Sequence, residues 1–353
     1  MKIKSAGVFA ITYGLLLAGL AVYVLLDSFV IPHRYAYAKE ENAAAAENTE
    51  TAETDEAVGE QTQNVSEASG AAAKRGSGKS TKGRGKNRTG GETESGDGED
   101  KLQEEDSEDV NTDTVNEYHG DGVDITLKQY RVNDTDVYVA DVKLESADSL
   151  RTALAEDTYG RNVTEQPSVM ADNNDAILAI NGDFYGSRQS GYVIRGGILY
   201  RDKAQRGNED LVILKNGEFL IIKEDEVSAG ELLDMGAWDV FSFGPALITD
   251  GEIAVEEGEE VGKAMQSNPR TAIGVIDELH YVFLVADGRT ADNTGLTLRE
   301  LADFMKKLGV ETAYNLDGGG SSAMVFKGEL VNKPTTGGRK IGERSVSDIV
   351  YIR

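Results

Sequence analysis

Hydrophobic and polar positions divide the chain into three stretches of different texture. From Val8 to Leu26 there is no charged residue, and the run VFAITYGLLLAGLAVYVLL is about long enough to cross a bilayer core. It predicts a transmembrane signal-anchor over residues 1–38, with Lys2 and Lys4 on the inner side and the rest of the chain outside. Arg34 and Lys39 beyond the span weaken that charge asymmetry. Small residues at Ala36 and Ala38 offer a peptidase site, so cleavage after Ala38 would release a secreted protein. An uncleaved, single-pass anchor in the cell membrane is favoured, because the apolar run exceeds a signal peptide's usual core.

From 39 to 117 large apolar residues nearly vanish, and Ala, Glu, Gly, Ser, Thr and Asn take over. Such a stretch cannot bury enough surface to offset the entropy of ordering, and it predicts a disordered stalk. Within it, KRGSGKSTKGRGKNR (74–88) is basic and ETESGDGEDKLQEEDSED (92–109) is acidic, a pairing that suits a solvated linker. The fragment GSGKST (76–81) lacks the first glycine of a phosphate-binding P-loop and has no strand before it.

From 118 to 353 apolar runs alternate with Gly, Asp and Asn turns, which predicts one globular domain. DITLKQYRV (124–132) and DVYVADVKL (136–144) read as a hairpin, and LVILKNGEFLII (211–222) as another around Asn216–Gly217. Further strands are predicted at 176–180, 241–248, 271–276, 279–286, 312–316, 322–326 and 347–352. The clearest helix runs from Leu298 to Leu308, with Thr297 as N-cap, Glu300 in capping-box position and Gly309 after its end. The fold class is α+β, a strand-rich mixed sheet with few covering helices. A strand at 279–286, a helix and a strand at 312–316 most simply form a right-handed crossover with parallel strands. Asp287 and Asp317 would then leave the same sheet edge and face one crevice.

Composition narrows the chemistry. There is no cysteine, so disulfides and thiolate metal sites are excluded, and an exported protein of this kind fits a bacterial surface. A net charge of −26 argues against nucleic acid as a partner. The globular part holds only His119 and His280, so a Ser-His-Asp triad or a histidine zinc site is hard to build. Carboxylates are left for proton transfer, with arginines, hydroxyls and backbone N–H groups to hold anions.

Three clusters carry such residues: AINGDFYG (179–186), VADGRTAD (285–292) and YNLDGGGSSAM (314–324). Gly318, Gly319 and Gly320 are able to turn consecutive N–H groups toward one point as an anion-binding nest, with Ser321 and Ser322 adding donors. Arg270, at the start of a strand in SNPRTAIGV, is placed to clamp a phosphate or carboxylate. Arg289 either orients Asp287 or binds an anion. Hard oxygen ligands suffice for a calcium or magnesium ion, but no spacing matches a known loop and the sequence requires no cofactor.

With INGDFYG, SGYVIRGGILYRD, FGPALI, NPRTAIGV, VADGRT and NLDGGGSSAM in this order, the chain resembles the phosphodiester glycosidase family over roughly residues 120–353. That is the family of the lysosomal uncovering enzyme, N-acetylglucosamine-1-phosphodiester alpha-N-acetylglucosaminidase, with bacterial relatives that carry exopolysaccharide-biosynthesis labels. The resemblance implies cleavage of the glycosidic bond of a sugar-1-phosphodiester, releasing free sugar and leaving a phosphomonoester. It implies catalytic roles for Asp317, Asp287 and Asp183, and substrate or phosphate binding by Arg270, Arg289, Asn181, Asn315, Gly318, Gly319, Gly320, Ser321 and Ser322. The expected substrate is a phosphate-containing surface glycan or its precursor. The rival readings are a non-catalytic polysaccharide-binding protein of the same fold and a phosphodiesterase that cuts P–O.

Overall fold

The computed structural model describes residues 5–35, 112–260 and 267–353, which fall in one compact unit. The predicted stalk lies outside the described residues as far as 111. The globular domain begins earlier than 118, because a strand Thr112–Gly120 pairs antiparallel with Val123–Val132. The first helix, α1, spans Ser5–Phe29. Side chains within it are described only at 13–27, and among the described residues no helix is long and apolar enough to cross a membrane.

Three sheets share one central core. The largest has eight strands in the order Glu252–Ile253, Ala246–Thr249, Thr312–Leu316, Arg270–Asp277, His280–Ala286, Thr135–Leu144, Val123–Val132 and Thr112–Gly120. The second runs Glu329–Leu330, Met324–Phe326, Leu178–Asn181, Asp348–Ile352 and Leu150–Leu154, and the third runs Phe219–Lys223, Glu209–Leu214, Ala237–Phe241, Val193–Arg195 and Ile198–Arg201. Strand alternation sorts the side chains between layers. Tyr281, Phe283 and Val285 enter the central core beside Ile180, Met324, Val350 and Phe241, whereas Val282, Leu284 and Ala286 face outward.

Each outer face is covered by one helix, so few helices suffice. Met170 and Ala171 of α2 (Pro167–Asn173) pack on Ala179, Val325 and Ile349. Ala229 and Leu232 of α3 (Ala229–Asp234) pack on Ile194, Val212 and Val240. Leu298, Leu301, Ala302 and Met305 of α4 (Leu298–Lys307) pack on Ala272, Val282 and Leu284. Both arms of the capping box of α4 form: Thr297 Oγ1 accepts from the Glu300 N–H at 3.1 Å, and Glu300 Oε2 accepts from the Thr297 N–H at 2.8 Å. Gly309 follows with φ +82°, a left-handed stop that suits glycine.

The crossover differs from expectation in one respect. His280–Ala286 and Thr312–Leu316 are parallel to each other but not neighbours, because Arg270–Asp277 lies between them and pairs antiparallel with both. All described ladders between strands are antiparallel. The consequence is that Arg270, at the start of the middle strand, sits at the same sheet edge as Asp287 and Asp317, which follow the ends of its neighbours. Two strand spacings separate the two acids, roughly 10 Å between backbones.

Candidate active site

At this edge a cleft of about 340 Å³ opens, lined by Asp317, Asn315, the Gly318–Gly320 loop, Arg188, Arg270, Arg289, Arg344, Asn268, Phe184 and Phe243 among others. Four guanidinium groups surround Asp317, the only carboxylate among the described lining residues. Phe184 and Phe243 each carry an arginine over the ring, Arg344 at 5.8 Å and Arg188 at 5.1 Å from the centroids. Apolar faces flanked by cations suit a sugar ring joined to an anion.

Asp317 is held from behind. Its N–H donates to the Gly182 carbonyl at 3.1 Å, and its own carbonyl accepts from Asn181 Nδ2 at 2.6 Å. Burial pushes its carboxyl up to about 6, aided by the charge of Asp183, while the Ser321 hydroxyl, Arg344 and Arg188 favour the ionised form. The residue keeps partial access through the cleft mouth, so the burial is that of an enclosed pocket wall rather than of a sealed core. A carboxyl poised near 6 is suited to taking a proton from water near neutral pH.

Arg270 is 3 % exposed and donates Nε to the Leu296 carbonyl at 2.8 Å and Nη2 to Glu260 at 2.6 Å. Arg289 donates Nη1 to the Thr336 carbonyl at 3.0 Å and Nη2 to Asn268 Oδ1 at 2.8 Å. Arg289 therefore orients toward the glycine loop rather than toward Asp287. Asn315 donates Nδ2 to the Gly244 carbonyl at 2.8 Å, and its Oδ1 is buried without a partner among the described residues.

The glycine loop differs from the nest expected of it. The N–H of Gly319 goes to the Pro269 carbonyl at 2.8 Å, and those of Ser321 and Ser322 turn back on Gly318 and Gly319 at 3.3 Å. Within this loop the N–H groups of Gly318 and Gly320 meet no backbone carbonyl among the described residues. The glycines answer instead to close approach. At Gly319, with φ +64°, an added Cβ would lie 2.9 Å from Arg289 Nη2. Gly319→Ala should lose about 1–2 kcal/mol from the left-handed φ and displace Arg289, raising KM for an anionic substrate severalfold. Gly328→Ala, at φ +80° with open space around it, is the control: the same backbone strain with an unchanged KM, read by denaturant unfolding beside steady-state kinetics.

Five expected site residues do not line the cleft: Asp287, Asp183, Asn181, Ser321 and Ser322. Asp287 is 2 % exposed; its Oδ1 accepts from Asn332 Nδ2 at 3.1 Å and the Lys333 N–H at 2.9 Å, and its Oδ2 is buried without a partner among the described residues. Burial raises its pKa. Asp183 is 1 % exposed and ties its own turn together, accepting from the Phe184 N–H at 2.6 Å and the Ser242 N–H at 2.8 Å. It thereby fixes both aromatic walls of the cleft. Asn181 is fully buried, with Oδ1 accepting from Thr271 Oγ1 at 2.8 Å and the Ala323 N–H at 3.2 Å. The two serines are also buried, Ser321 serving Asp317 and Ser322 leaving its hydroxyl unpartnered among the described residues.

Beneath the floor lies an ion cluster that the sequence reading did not single out. Arg195 donates Nε and Nη2 to Asp348 Oδ2 at 2.9 and 2.6 Å, stacks 4.1 Å over Phe241, and stands 3.9 Å from Asp183. Asp348 Oδ1 accepts the Asp183 N–H at 2.7 Å. Arg188, Arg344 and Asn332 were likewise not singled out; the first two sit in polar loops with no periodic signal. Phe184 and Phe243 lie inside runs already marked, where an aromatic after an acid or before Gly-Pro was the available sign. Among the described residues no group of three or more His, Asp or Glu is placed to hold a metal.

A model of the family described as phosphodiester glycosidase matches residues 174–353, which include every residue named above as lining the cleft. The chain belongs to the phosphodiester glycosidase family. The bovine N-acetylglucosamine-1-phosphodiester alpha-N-acetylglucosaminidase is 31% identical over 173 residues, 45% of this chain and 32% of that protein. The mouse enzyme of the same name is 28% identical over 172 residues, 45% of this chain and 33% of that protein. A SPbeta prophage-derived protein of Bacillus subtilis, YomE, is 29% identical over 201 residues, 55% of this chain and 30% of its own length. The chain thus spans about a third of the length of these curated relatives. The catalytic domain of the zebrafish N-acetylglucosamine-1-phosphodiester alpha-N-acetylglucosaminidase, in a structure described as auto-inhibited by its pro-peptide, superposes with TM-score 0.53 at 22% identity, covering 69% of this chain and 87% of that one. That likeness concerns the fold, and it agrees with the α+β architecture.

Proposed function

We propose that this protein hydrolyses the glycosidic bond of a sugar-1-phosphodiester, with a phosphate-containing surface glycan or its precursor as substrate. The observation that carries the reading is one carboxylate, pushed up to about 6, facing four arginines in a cleft with aromatic walls. Phosphate oxygens would be held by Arg270, Arg289 and Arg344, whose charges stabilise the phosphomonoester as the anomeric C–O bond breaks. The leaving group is already good, so a general acid adds little. Asp317 takes the proton of the water that attacks the anomeric carbon, while Phe184 and Phe243 hold the ring. Asp287 and Asp183 are positioning residues: the first braces Asn332 and the loop after it, the second the aromatic walls. Family membership and the names of the relatives support the sugar–phosphodiester class. An extracytoplasmic setting, tethered through the N-terminal apolar run, belongs to the same proposal and is supported by that run alone.

The test is product identity with a nitrophenyl-type phosphodiester of N-acetylglucosamine 1-phosphate. Free N-acetylglucosamine supports the proposal, and N-acetylglucosamine 1-phosphate would point to P–O cleavage. The pH profile gives a second check. Asp317 must be ionised to act as base, so kcat/KM should rise about tenfold per pH unit from about pH 4 and level near 6. A profile already flat above about pH 4 would mean that an ordinary carboxylate governs the reaction.

A further inference from the structure

Arg188 lines a second and larger cleft of about 650 Å³, whose other walls are formed by Tyr35, Tyr159, Tyr185, Tyr200, Arg161, Arg201 and Lys203 among others. The tyrosines form one aromatic cluster, in which Tyr159 and Tyr185 are buried and Tyr35 and Tyr200 keep exposed surface. Tyr159 stacks on Tyr185 with centroids 5.3 Å apart and on Tyr200 at 5.1 Å, and Tyr35 extends the row at 5.9 Å. No carboxylate lines this cleft among the described residues, whereas three arginines and a lysine do. Two of the guanidinium groups keep a buried nitrogen without a partner among the described residues, Arg201 Nη2 and Arg161 Nε. The rest of Arg201 is fixed, with Nε on the Gly191 carbonyl at 2.6 Å and Nη1 on the Tyr185 and Arg188 carbonyls at 3.0 and 2.9 Å. A cation held in place with an unused donor is suited to an anion that arrives with its ligand.

We propose that this cleft is a subsite for a second phosphate-bearing sugar unit of a polymeric substrate, joined through Arg188 to the unit bound against Asp317. It rests on the sugar-phosphodiester reading of the Asp317 cleft and names the substrate as a chain rather than a single sugar. Tyr35 and Tyr200, backed by the buried Tyr159 and Tyr185, take the faces of sugar rings, and Arg201 and Lys203 take the phosphates between them, while Arg161 is paired with Asp27 at 3.2 Å. Arg188 is the joint: it donates Nη1 to the Ser242 carbonyl at 2.6 Å and lies over Phe243, so its guanidinium stands on the ridge between the two clefts. With no acid of its own the second cleft binds and does not cleave. One bond per encounter is therefore broken at Asp317, at a position set by how far the chain extends past Arg188.

The experiment uses the full chain carrying Asp317→Asn and two probes: the methyl phosphodiester of N-acetylglucosamine 1-phosphate, and a trimer of N-acetylglucosamine 1-phosphate units. Calorimetry should show the trimer binding at least about tenfold more tightly than the single unit, an advantage that fades with added salt. Lys203→Glu, at an exposed position outside the Asp317 cleft, should remove most of that advantage without altering affinity for the single unit, and Tyr200→Ala should do the same. Equal affinities for the two probes, or a trimer advantage that survives Lys203→Glu, would overturn the subsite. Turnover by the wild-type chain is scored separately. A trimer advantage without hydrolysis would leave the subsite standing and remove the catalytic proposal, and hydrolysis without the advantage would do the reverse.

Discussion

Replacing Asp317 by asparagine is expected to lower kcat about a thousandfold, within the range for loss of a positioned acid–base group, and at neutral pH to make the fold more stable. The second effect follows from the sign of the pKa shift. Burial raises Asp317 from the ordinary 3.8 of an aspartate to about 6, so above that pH the folded state carries an ionised group that the unfolded chain would hold more easily. The penalty is relieved as pH falls from about 6 to about 4, where both states are protonated. Asparagine is neutral throughout and keeps a side-chain oxygen to accept from Ser321. The gain should therefore be about 2 kcal/mol or less at neutral pH, since the cleft mouth admits water, and near zero at about pH 4. Chemical denaturation at the two pH values, beside kinetics, checks both effects: the opposite sign, a loss of stability at neutral pH, would contradict the expectation.

Asp348→Ala should show that opposite sign, with a loss of about 3–5 kcal/mol. Arg195 is buried, and its remaining charged neighbour within salt-bridge range would be Asp183 at 3.9 Å. Removing Asp348 leaves a guanidinium inside the protein without its two shortest carboxylate bonds and deprives the Asp183 N–H of its acceptor. A loss of this size is a large share of a typical domain's stability. The effect should reach the cleft as well, because Asp183 fixes Phe184 and Ser242. The wild-type protein also carries a pH signature here. Burial raises Asp348 to about 7 against the pull of Arg195, so its contribution to stability falls as pH rises from about 4 to about 7, and this slope should vanish in the variant. Urea unfolding across that range checks both statements; a loss under about 1 kcal/mol would mean that water reaches Arg195.

Local patterns were legible, and distant partnerships were not. The capped helix after Thr297 and the hairpin at 123–144 follow from spacing over a few residues, and the structure shows both. The interposition of Arg270–Asp277 between two parallel strands depends on pairing order in three dimensions, which no local pattern encodes. The same limit explains Asp183. An acid at the end of an apolar run marks a strand end, but whether its side chain turns to the cleft or inward depends on Ser242 and Arg195, far along the chain. Glycine runs were ambiguous for a different reason. Freedom of the backbone and the need for close approach leave the same mark, and here the approach of Pro269, Arg289 and Thr336 explains Gly318–Gly320. Arg188 and Arg344 entered as isolated charges in polar loops and acquire meaning only beside Asp317.

The central claim is that water attacks the sugar's anomeric carbon at Asp317 while arginines hold the phosphate. Hydrolysis of a phosphodiester of N-acetylglucosamine 1-phosphate in water enriched in oxygen-18, followed by mass spectrometry of both products after a single turnover, tests it most directly. The label is expected in the released sugar and absent from the phosphomonoester. Label in the phosphate would mean that the P–O bond is cut, and would contradict the account.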